Sequence, residues 1–553
     1  MRIIRQWLNS REEAVGKDIL LLMAMFGFAF FQNLGRFPLI EPDEGRYAEI
    51  PREMLERWDF ITPLLDYVKY FEKPPLHYWL VSLSMSLFGQ NEFAARFPGA
   101  LMGLLSVVLV YHTGRKLFDR RAGMLAALIL GTCNGFLVQA RLNITDMTLT
   151  CTLSAALCCF IIAAREDERR KGLYYCLGYL CAGLAVLAKG LIGIVFPGAI
   201  VFLYLLIARR WRLLGEMRLV AGIPLFLLVT VPWFILVSMR NPEFARFFFI
   251  HEHFERFTST VHGRYQPIWF FIPVLAGTMI PWSFFIPAAL AGTWRERRTP
   301  GGDSRLWLLI WAAFIFAFFS KSNSKLVPYI LPVFPPLALL TGHALSRVLD
   351  GEFRPLRLQA YVAGGFLFIL GAGMAVYPHV APRPAFGAAG GAVVGFLFLA
   401  EAIAVLFFTR RGNTLAVTVS LCSCSYLLGI VAPPVILAGV AEKKSTRELA
   451  LKVRELAPPD AVVASFGYEQ GLPFYAKRRV VVVGDRNELD FGSRQGDQSA
   501  WFIEPARFRE LWDGPAPVFA LLREAELAQL IGTVKAPVRE LGRDKRKVLI
   551  TNR

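Results

Sequence analysis

Residues 18–36 read DILLLMAMFGFAFFQNLGR, and residues 40–47 follow them with IEPDEGRY. The first stretch is close to the roughly 20 apolar residues that a helix needs to cross the hydrocarbon core of a bilayer. The second stretch therefore places Asp43, Glu44, Arg46 and Tyr47 near a membrane surface. Charged side chains at that depth either end a helix at the interface or belong to a functional site. The density of this cluster makes it the first candidate for a site.

Composition assigns the chain to the polytopic membrane proteins. Of its 553 residues 55% are hydrophobic, and the mean hydropathy is +0.44. These values are far too apolar for a soluble protein. The first apolar run is longer than the apolar core of a signal peptide and lacks a small-residue cleavage site, so we expect a retained helix.

The net charge of +18 comes from basic residues that cluster in short loops between apolar runs. The positive-inside rule produces this distribution, and it does not indicate nucleic-acid binding. The same cations can meet anionic membrane lipids or a phosphorylated substrate. All eight cysteines lie inside apolar runs, where they act as small hydrophobic residues and do not indicate zinc or redox chemistry.

Loop charge and parity predict the topology. Fourteen apolar stretches are present, and the strongly basic loops between them, such as 115–121 and 165–171, are predicted to be cytoplasmic. The run 75–90 begins at a Pro-Pro pair and is interrupted by polar residues, so we expect a juxtamembrane or re-entrant helix there. Thirteen crossings then remain, which puts the C-terminus outside.

Two domains follow from this topology. Residues 1–438 are predicted to form a transmembrane domain with external loops 37–74 and 238–266. After residue 439 the long apolar runs end, and strand-like segments alternate with helical ones. The strand-like segments are VVASF (462–466), VVVVG (480–484) and VFALL (518–522). The pattern predicts an external α/β domain over 439–553.

The predicted external face collects most of the unusual polar residues. Besides the first cluster, these are Tyr70, Glu72, Lys73, Asp146, Lys189, His253, Arg256, Arg264, Lys325 and Tyr329. Such a mixture of carboxylates, imidazoles and cations suits a site that handles an anionic substrate. Taken singly, each cation can also be an ordinary interfacial residue or a helix cap. Metal binding by His253 together with an acidic side chain from another loop is a further possibility.

Six motifs together resemble a known enzyme family. They are PDEGRYAEIPREML (42–55), YFEKPPLHYW (70–79), RLNITDMTL (141–149), LAKG (187–190), HEHFERF (251–257) and KLVPYILP (325–332). The set resembles the 4-amino-4-deoxy-L-arabinose (aminoarabinose) lipid A transferases, C-type glycosyltransferases related to protein O-mannosyltransferases. The resemblance spans about residues 18–440 and implies a GT-C type fold with about thirteen transmembrane helices, juxtamembrane helices and a C-terminal periplasmic domain.

The resemblance also implies a reaction and a location. A member of this family transfers aminoarabinose from undecaprenyl phosphate to lipid A phosphate at the periplasmic face of the bacterial inner membrane, which gives resistance to polymyxin and other cationic peptides. Its partners are the lipid-linked donor, the lipid A acceptor and membrane lipids.

Residue roles are carried over from the same resemblance. Asp43 and Asp146 match the acidic positions expected at the reaction centre. The remaining assignments are donor-phosphate binding by Lys73, Arg256, Arg46 and Arg264, substrate binding by Glu44, Tyr47, Tyr70, Lys325 and Tyr329, and metal binding by Glu72 and His253. The ion would be Zn²⁺ or Mg²⁺, and it would organise loops more than it would take part in the chemistry.

The chemistry of the acceptor limits the analogy with related enzymes. A phosphate is already ionised near neutral pH, so it can attack without the general base that a hydroxyl acceptor requires. The sequence has no DxD pair, and neither a P-loop nor a Rossmann fingerprint lies on a strand-to-helix turn, so no nucleotide cofactor is expected. Two alternatives stay open, namely a polyprenyl-linked transferase with a protein or glycan acceptor, and a transporter or flippase.

Overall fold

The computed structural model describes residues 15–255, 265–299, 302–349, 354–382, 384–544 and 547–553. The chain divides into two compact units. The helical unit comprises Met1–Leu34 and Phe97–Ile436, and the composite unit comprises Gly35–Arg96 and Leu437–Arg553.

The helical unit is built from α-helices joined by short turns. Its helices are Val15–Phe31, Glu92–Leu117 (which begins in the composite unit), Arg120–Thr132, Asn134–Ala140, Thr145–Ala163, Glu168–Lys189, Ile192–Ala208, Leu213–Glu216, Leu219–Arg240, Phe271–Thr278, Ile286–Arg295, Gly302–Lys321, Phe334–Leu349, Arg354–Val380, Ala388–Arg410 and Thr414–Ala432. Shorter elements are the π-helical segments Arg246–Glu255 and Pro433–Leu437 and the 3₁₀ segments Trp282–Phe284 and Val327–Val333.

Nine helices among the described residues are long and apolar enough to cross a membrane, or ten if the bent pair Arg120–Thr132 and Asn134–Ala140 is one span. The two helices of that pair meet at 68°. The expected multi-pass helical fold is therefore present, while the count of thirteen crossings stays a prediction. The run predicted at 75–90 forms the helix Leu76–Phe88, whose 13 residues are fewer than the roughly 20 that a crossing needs.

Buried polar contacts tie the helical unit together. Asp18 is fully buried and accepts hydrogen bonds from Tyr111 Oη at 2.5 Å and from Arg120 Nε at 2.6 Å. Arg141, also fully buried, donates to the backbone carbonyls of Ala29 and Gln32, where the first helix ends. Both buried charges thus have hydrogen-bond partners, which lower the cost of their removal from water.

The composite unit contains a small hairpin in the first loop, β1 (Leu64–Leu65) and β2 (Val68–Lys69), and a six-stranded mixed sheet. The strands of the sheet are β3 (Val462–Phe466), β4 (Val481–Val483), β5 (Phe502–Ile503), β6 (Val518–Arg523), β7 (Arg539–Arg543) and β8 (Lys547–Thr551). Their order is β5-β4-β3-β6-β8-β7. Strands β3 to β6 pair in parallel, and β8 runs antiparallel to both of its neighbours. Helical elements are Asp43–Arg57, Leu76–Phe88, Ala438–Lys443, Arg447–Leu456, Gly471–Ala476, Asn487–Leu489, Asp490–Ser493, Pro505–Trp512 and Glu524–Ile531. The α/β character predicted for the C-terminal segment is therefore present.

Both faces of this sheet are covered, and alternating residues of β6 show how. Val518, Ala520 and Leu522 face a core with Phe508 and Trp512. Phe519 and Leu521 face a second core. That second core includes apolar residues of the first loop and the helices after it, namely Leu39, Ala48, Val81, Met85, Ala94 and Ala95.

The first loop therefore folds against the C-terminal sheet. Loop 37–74 is predicted to belong to the transmembrane domain, whereas its contacts place residues 35–96 in one compact unit with the C-terminal segment. The physical reason is the shared apolar core, because alternate residues of the strands need cover on both faces of the sheet. The predicted boundary between 438 and 439 stays a prediction.

Candidate active site

Arg46 is the centre of the polar cluster in the first loop. The helix Asp43–Arg57 starts directly after Pro42, so Asp43 and Arg46 share its first turn. Arg46 Nη2 lies 3.0 Å from Asp43 Oδ1, and Nη1 donates to Tyr70 Oη at 3.0 Å. Nη1 also lies 3.0 Å from Oε2 of Glu488, which belongs to the C-terminal segment. Side-chain exposure is 7% for Arg46 and 53% for Asp43, so the guanidinium is buried and the Asp43 carboxylate is open to solvent.

The charges of this cluster hold it together. Burial acts to lower the pKa of Arg46, but neighbouring acidic groups, Glu488 first, outweigh burial and hold that pKa well above its ordinary value. Glu72 is one of them, with its carboxylate 3.9 Å from Arg46 Nη1. Burial also raises the pKa of Glu488, and Arg46 only partly offsets this. The guanidinium therefore stays charged, and the Tyr70 hydroxyl, whose pKa burial raises, stays protonated.

Glu44 and Arg96 form a buried ion pair beside this cluster. Arg96 Nε lies 2.8 Å from Glu44 Oε1, and Nη2 lies 2.8 Å from Oε2. Arg96 also donates to the carbonyl oxygens of Phe37 and Pro38 at 2.7 Å. The pair fixes the chain that leads into the helix Asp43–Arg57, and substrate binding by Glu44 stays a prediction.

Tyr47, Glu72 and Lys73 lie in the same unit. Tyr47 is buried and its ring packs edge-on against His77, with 5.9 Å between ring centroids. Lys73 Nζ donates to the Glu72 carbonyl at 2.8 Å, and its side chain is half-buried. The structure thus brings Asp43, Arg46, Tyr70 and Glu72 together, with Tyr47 and Lys73 next to them in sequence.

The helical unit contains a second polar centre. Asp146 lies in the first turn of the helix Thr145–Ala163, and Lys189 is the last residue of the helix Glu168–Lys189. Their side chains form an ion pair, with 2.5 Å between Nζ and Oδ1. Lys189 Nζ also lies 4.7 Å from the centroid of the Tyr329 ring. A carboxylate, an ammonium and a phenol ring are therefore assembled from three elements.

Lys325 is buried in the same unit and shortly precedes Tyr329 in the sequence. Its Nζ donates to the carbonyl oxygens of Gln266 at 2.7 Å and Ser322 at 2.5 Å. These contacts stabilise the turn between the candidate spans Gly302–Lys321 and Val327–Leu349. A role of Lys325 in substrate binding stays a prediction.

Some predicted residues fall outside the part of the chain that the structure describes. These are Arg256 and Arg264, and the side chain of His253 also falls there. The phosphate clamp of Lys73 with Arg256 and the metal pair of Glu72 with His253 therefore stay predictions. Within the described residues no group of three or more His, Cys, Asp or Glu side chains is arranged to hold a metal ion.

The structure adds three partners of the predicted residues, namely Glu488, Arg96 and Lys189. The sequence contains a signal for Arg96, because this charge starts the apolar run 96–114 and charges at membrane depth are rare without a role. The signal for Lys189 is the motif LAKG at a helix end. The sequence contains no signal for Glu488, because its segment RNELD resembles an ordinary polar turn.

Solved structures match this architecture over almost the whole chain. The crystal structure of ArnT from Cupriavidus metallidurans bound to undecaprenyl phosphate superposes with a TM-score of 0.87 at 32% identity, covering 97% of this chain and 98% of that one. The apo structure of the same protein superposes with a TM-score of 0.84. The archaeal oligosaccharyltransferase AglB from Archaeoglobus fulgidus shares the fold at 15% identity, with a TM-score of 0.56 over 85% of this chain and 64% of its own. The fold and its polar centres thus define an integral-membrane glycosyltransferase of the GT-C class that uses a lipid-linked sugar.

Sequence comparison narrows the class to one family. Residues 72–236 match the family model for dolichyl-phosphate-mannose-protein mannosyltransferase, and residues 449–552 match that for the aminoarabinose transferase C-terminal domain. The undecaprenyl phosphate-alpha-4-amino-4-deoxy-L-arabinose arabinosyl transferase of Edwardsiella ictaluri is 31% identical over 85% of this chain and 86% of its own. The Pseudomonas aeruginosa enzyme of that name (strain LESB58) is 37% identical over 59% of both chains. The chain belongs to the family of undecaprenyl phosphate-aminoarabinose arabinosyl transferases.

Proposed function

We propose that the protein transfers 4-amino-4-deoxy-L-arabinose from undecaprenyl phosphate to a phosphate group of lipid A. The observation that carries this proposal is the match over 97% of the chain to a relative whose structure contains undecaprenyl phosphate. The reaction takes place at the periplasmic face of the bacterial inner membrane. It adds an amine to an anionic acceptor, lowers the negative surface charge and so confers resistance to polymyxin and other cationic peptides.

The donor is bound through its phosphate. Charge-assisted hydrogen bonds from cationic side chains are the strongest contacts that a protein can offer this group. Lys73 comes from the same loop as Asp43, and its ammonium lies on the composite unit. In the proposal Lys73 and Arg256 bind the donor phosphate, with Arg46 and Arg264 contributing to the positive field.

The transfer step needs no proton acceptor. An oxygen of the lipid A phosphate attacks the anomeric carbon, and the bond from that carbon to the undecaprenyl phosphate oxygen breaks. The electron pair leaves with undecaprenyl phosphate, whose negative charge the bound cations stabilise. Asp43, exposed and held by Arg46, orients the acceptor or stabilises the positive charge that develops on the sugar.

A divalent ion held by Glu72 and His253 would organise the two loops and takes no part in this step.

The alternative function has a protein or glycan hydroxyl as acceptor. A hydroxyl requires a general base, and Asp43 would then be the candidate for that base.

The test uses purified protein with the lipid-linked donor and either lipid A or dephosphorylated lipid A. Mass spectrometry of the product is expected to show transfer to lipid A alone. Equal transfer to the dephosphorylated acceptor would instead identify a hydroxyl as nucleophile. Lipid A from cells with and without the protein, compared in the same way, tests the function in the membrane.

A further inference from the structure

Glu488 of the C-terminal segment contacts Arg46 in the proposed reaction centre. Glu488 lies in the short 3₁₀ helix Asn487–Leu489, and its Oε2 is 3.0 Å from Arg46 Nη1. Its other oxygen, Oε1, accepts a hydrogen bond from Gln470 Nε2 at 3.0 Å. Glu488 is thus held by its own segment on one side and bound to the first loop on the other.

The backbones on which these side chains stand are in close contact. A Cβ added to Gly45 would lie 2.8 Å from Gly471 N and 2.9 Å from the Gln470 carbonyl carbon. A Cβ added to Gly471 would meet the carboxylate of Glu41. Only glycine permits this approach, so the first turn of Asp43–Arg57 is seated directly on the start of the helix Gly471–Ala476. The ion pair therefore has a rigid support on both sides.

Burial makes the contact with Arg46 important for Glu488. Only 11% of the Glu488 side chain is exposed, and a buried carboxylate is costly unless it is paired. Arg46 in turn is held by Asp43 at Nη2 and by Glu488 and Tyr70 at Nη1. Acceptors at both nitrogens fix the orientation of the planar guanidinium, to which Asp43 is bound.

The geometry points to Glu488 as a positioning residue for the transfer reaction, acting through Arg46 to hold Asp43 in place. This rests on the proposed function, in which Asp43 is at the reaction centre. It gives the C-terminal segment a part in the chemistry, because a residue outside the membrane-embedded helices then sets the geometry of the reaction centre. Small displacements of a reacting group are costly, with about 1 Å worth as much as a hundredfold in rate.

Kinetics of the full-length protein with the lipid-linked donor and lipid A test the inference. Glu488→Gln keeps the size and the hydrogen bond to Gln470 but removes the charge that grips Arg46. We expect kcat to fall about 10- to 100-fold, with KM for the donor changed by no more than a few-fold. Glu488→Asp is expected to recover part of the loss. The control is Glu540→Gln, which breaks an exposed ion pair with Arg543 in the same unit and is expected to leave kcat unchanged.

A double-mutant cycle separates positioning from a general effect on the fold. If Glu488 acts through Arg46, the double variant with Arg46→Gln and Glu488→Gln is no slower than Arg46→Gln alone. Losses that multiply would overturn the inference, as would a kcat of Glu488→Gln within twofold of wild type. Thermal melting of each variant checks that the fold is retained, and Glu488→Asp provides the measurement if the Gln variant unfolds.

The outcomes also separate this inference from the proposed function. Absence of transfer to lipid A by the wild-type protein would count against the function itself. An inactive Asp43→Asn protein beside a fully active Glu488→Gln protein would leave the function standing and refute only the role of Glu488.

Discussion

Lys189 and Asp146 form an ion pair, 2.5 Å between Nζ and Oδ1, at adjoining ends of two helices. Asp146 lies in the first turn of its helix and Lys189 in the last turn of its own, so each charge complements the local helix dipole. Asp146 is 8% exposed, so its carboxylate depends on this partner. The pair fixes the start of the helix Thr145–Ala163.

Replacing Lys189 by Met is expected to destabilise the protein more than replacing both residues. Lys189→Met leaves the Asp146 carboxylate buried without its cation, which costs about 3 to 5 kcal/mol, whereas the double variant with Asp146→Asn removes the stranded charge. Thermal unfolding in detergent measures the difference. Lys321→Met, at an exposed lysine of the same unit, is the control. Equal melting temperatures for the single and double variants would contradict the pairing.

Asp43→Asn is expected to abolish or nearly abolish sugar transfer while leaving expression and melting temperature close to wild type. The carboxylate is more than half exposed, so its loss removes little burial energy, but the amide cannot stabilise a developing positive charge. The measurement is product formation by mass spectrometry at saturating donor. Wild-type turnover by the folded variant would refute the assignment of Asp43.

Local patterns predicted part of this structure. The long apolar runs gave the membrane-embedded helices because a span must be apolar over its whole length. The Val-rich runs at 462–466, 480–484 and 518–522 became β3, β4 and β6, since parallel strands buried on both faces read as continuous apolar segments. The other strands of the six-stranded sheet, β5, β7 and β8, were not predicted. β5 has only two residues, and β7, RELGR, is polar and lies at the edge of the sheet.

Contacts between distant parts of the chain could not be predicted in the same way. The density of charges around Asp43 marked the loop as a candidate site, and the structure joins Asp43 to Arg46. Nothing in the sequence around Glu488 indicates that it meets Arg46. That contact arises from packing of the first loop on the sheet, and a single sequence carries no signal for such a pair of distant residues.

Lys73→Ala is expected to weaken donor binding. A charge-assisted hydrogen bond to a phosphate is worth about 1.5 to 3 kcal/mol, which corresponds to roughly a 10- to 150-fold rise in Kd. Binding of undecaprenyl phosphate to the purified protein measures this directly. The matched control is Lys535→Ala, an exposed lysine of the composite unit. Unchanged affinity in Lys73→Ala would move the phosphate site to other cations.

Asp66 has an environment that predicts a pH-dependent stability. It is fully buried in the turn between β1 and β2, and its Oδ1 accepts a hydrogen bond from the Val480 amide at 2.9 Å. Its Oδ2 has no hydrogen-bond partner among the described residues. Burial raises the pKa of Asp66 from 3.8 to about 7, against the opposing effects of the Val480 amide and Arg479, and with a contribution of the same sign from Glu49.

Between about pH 4 and 7, Asp66 therefore keeps a proton in the folded protein that it has already released in the unfolded chain. The free energy of unfolding falls by about 1.4 kcal/mol for each pH unit of that window, and the loss is complete above pH 7. Asp66→Asn keeps the acceptor for Val480 and tolerates the positive φ of 51°, but cannot ionise. It is expected to melt above wild type at pH 8 and close to wild type at pH 4.5, with exposed Asp460→Asn as control. A constant difference between the two melting curves at both pH values would show that Asp66 does not titrate in this window.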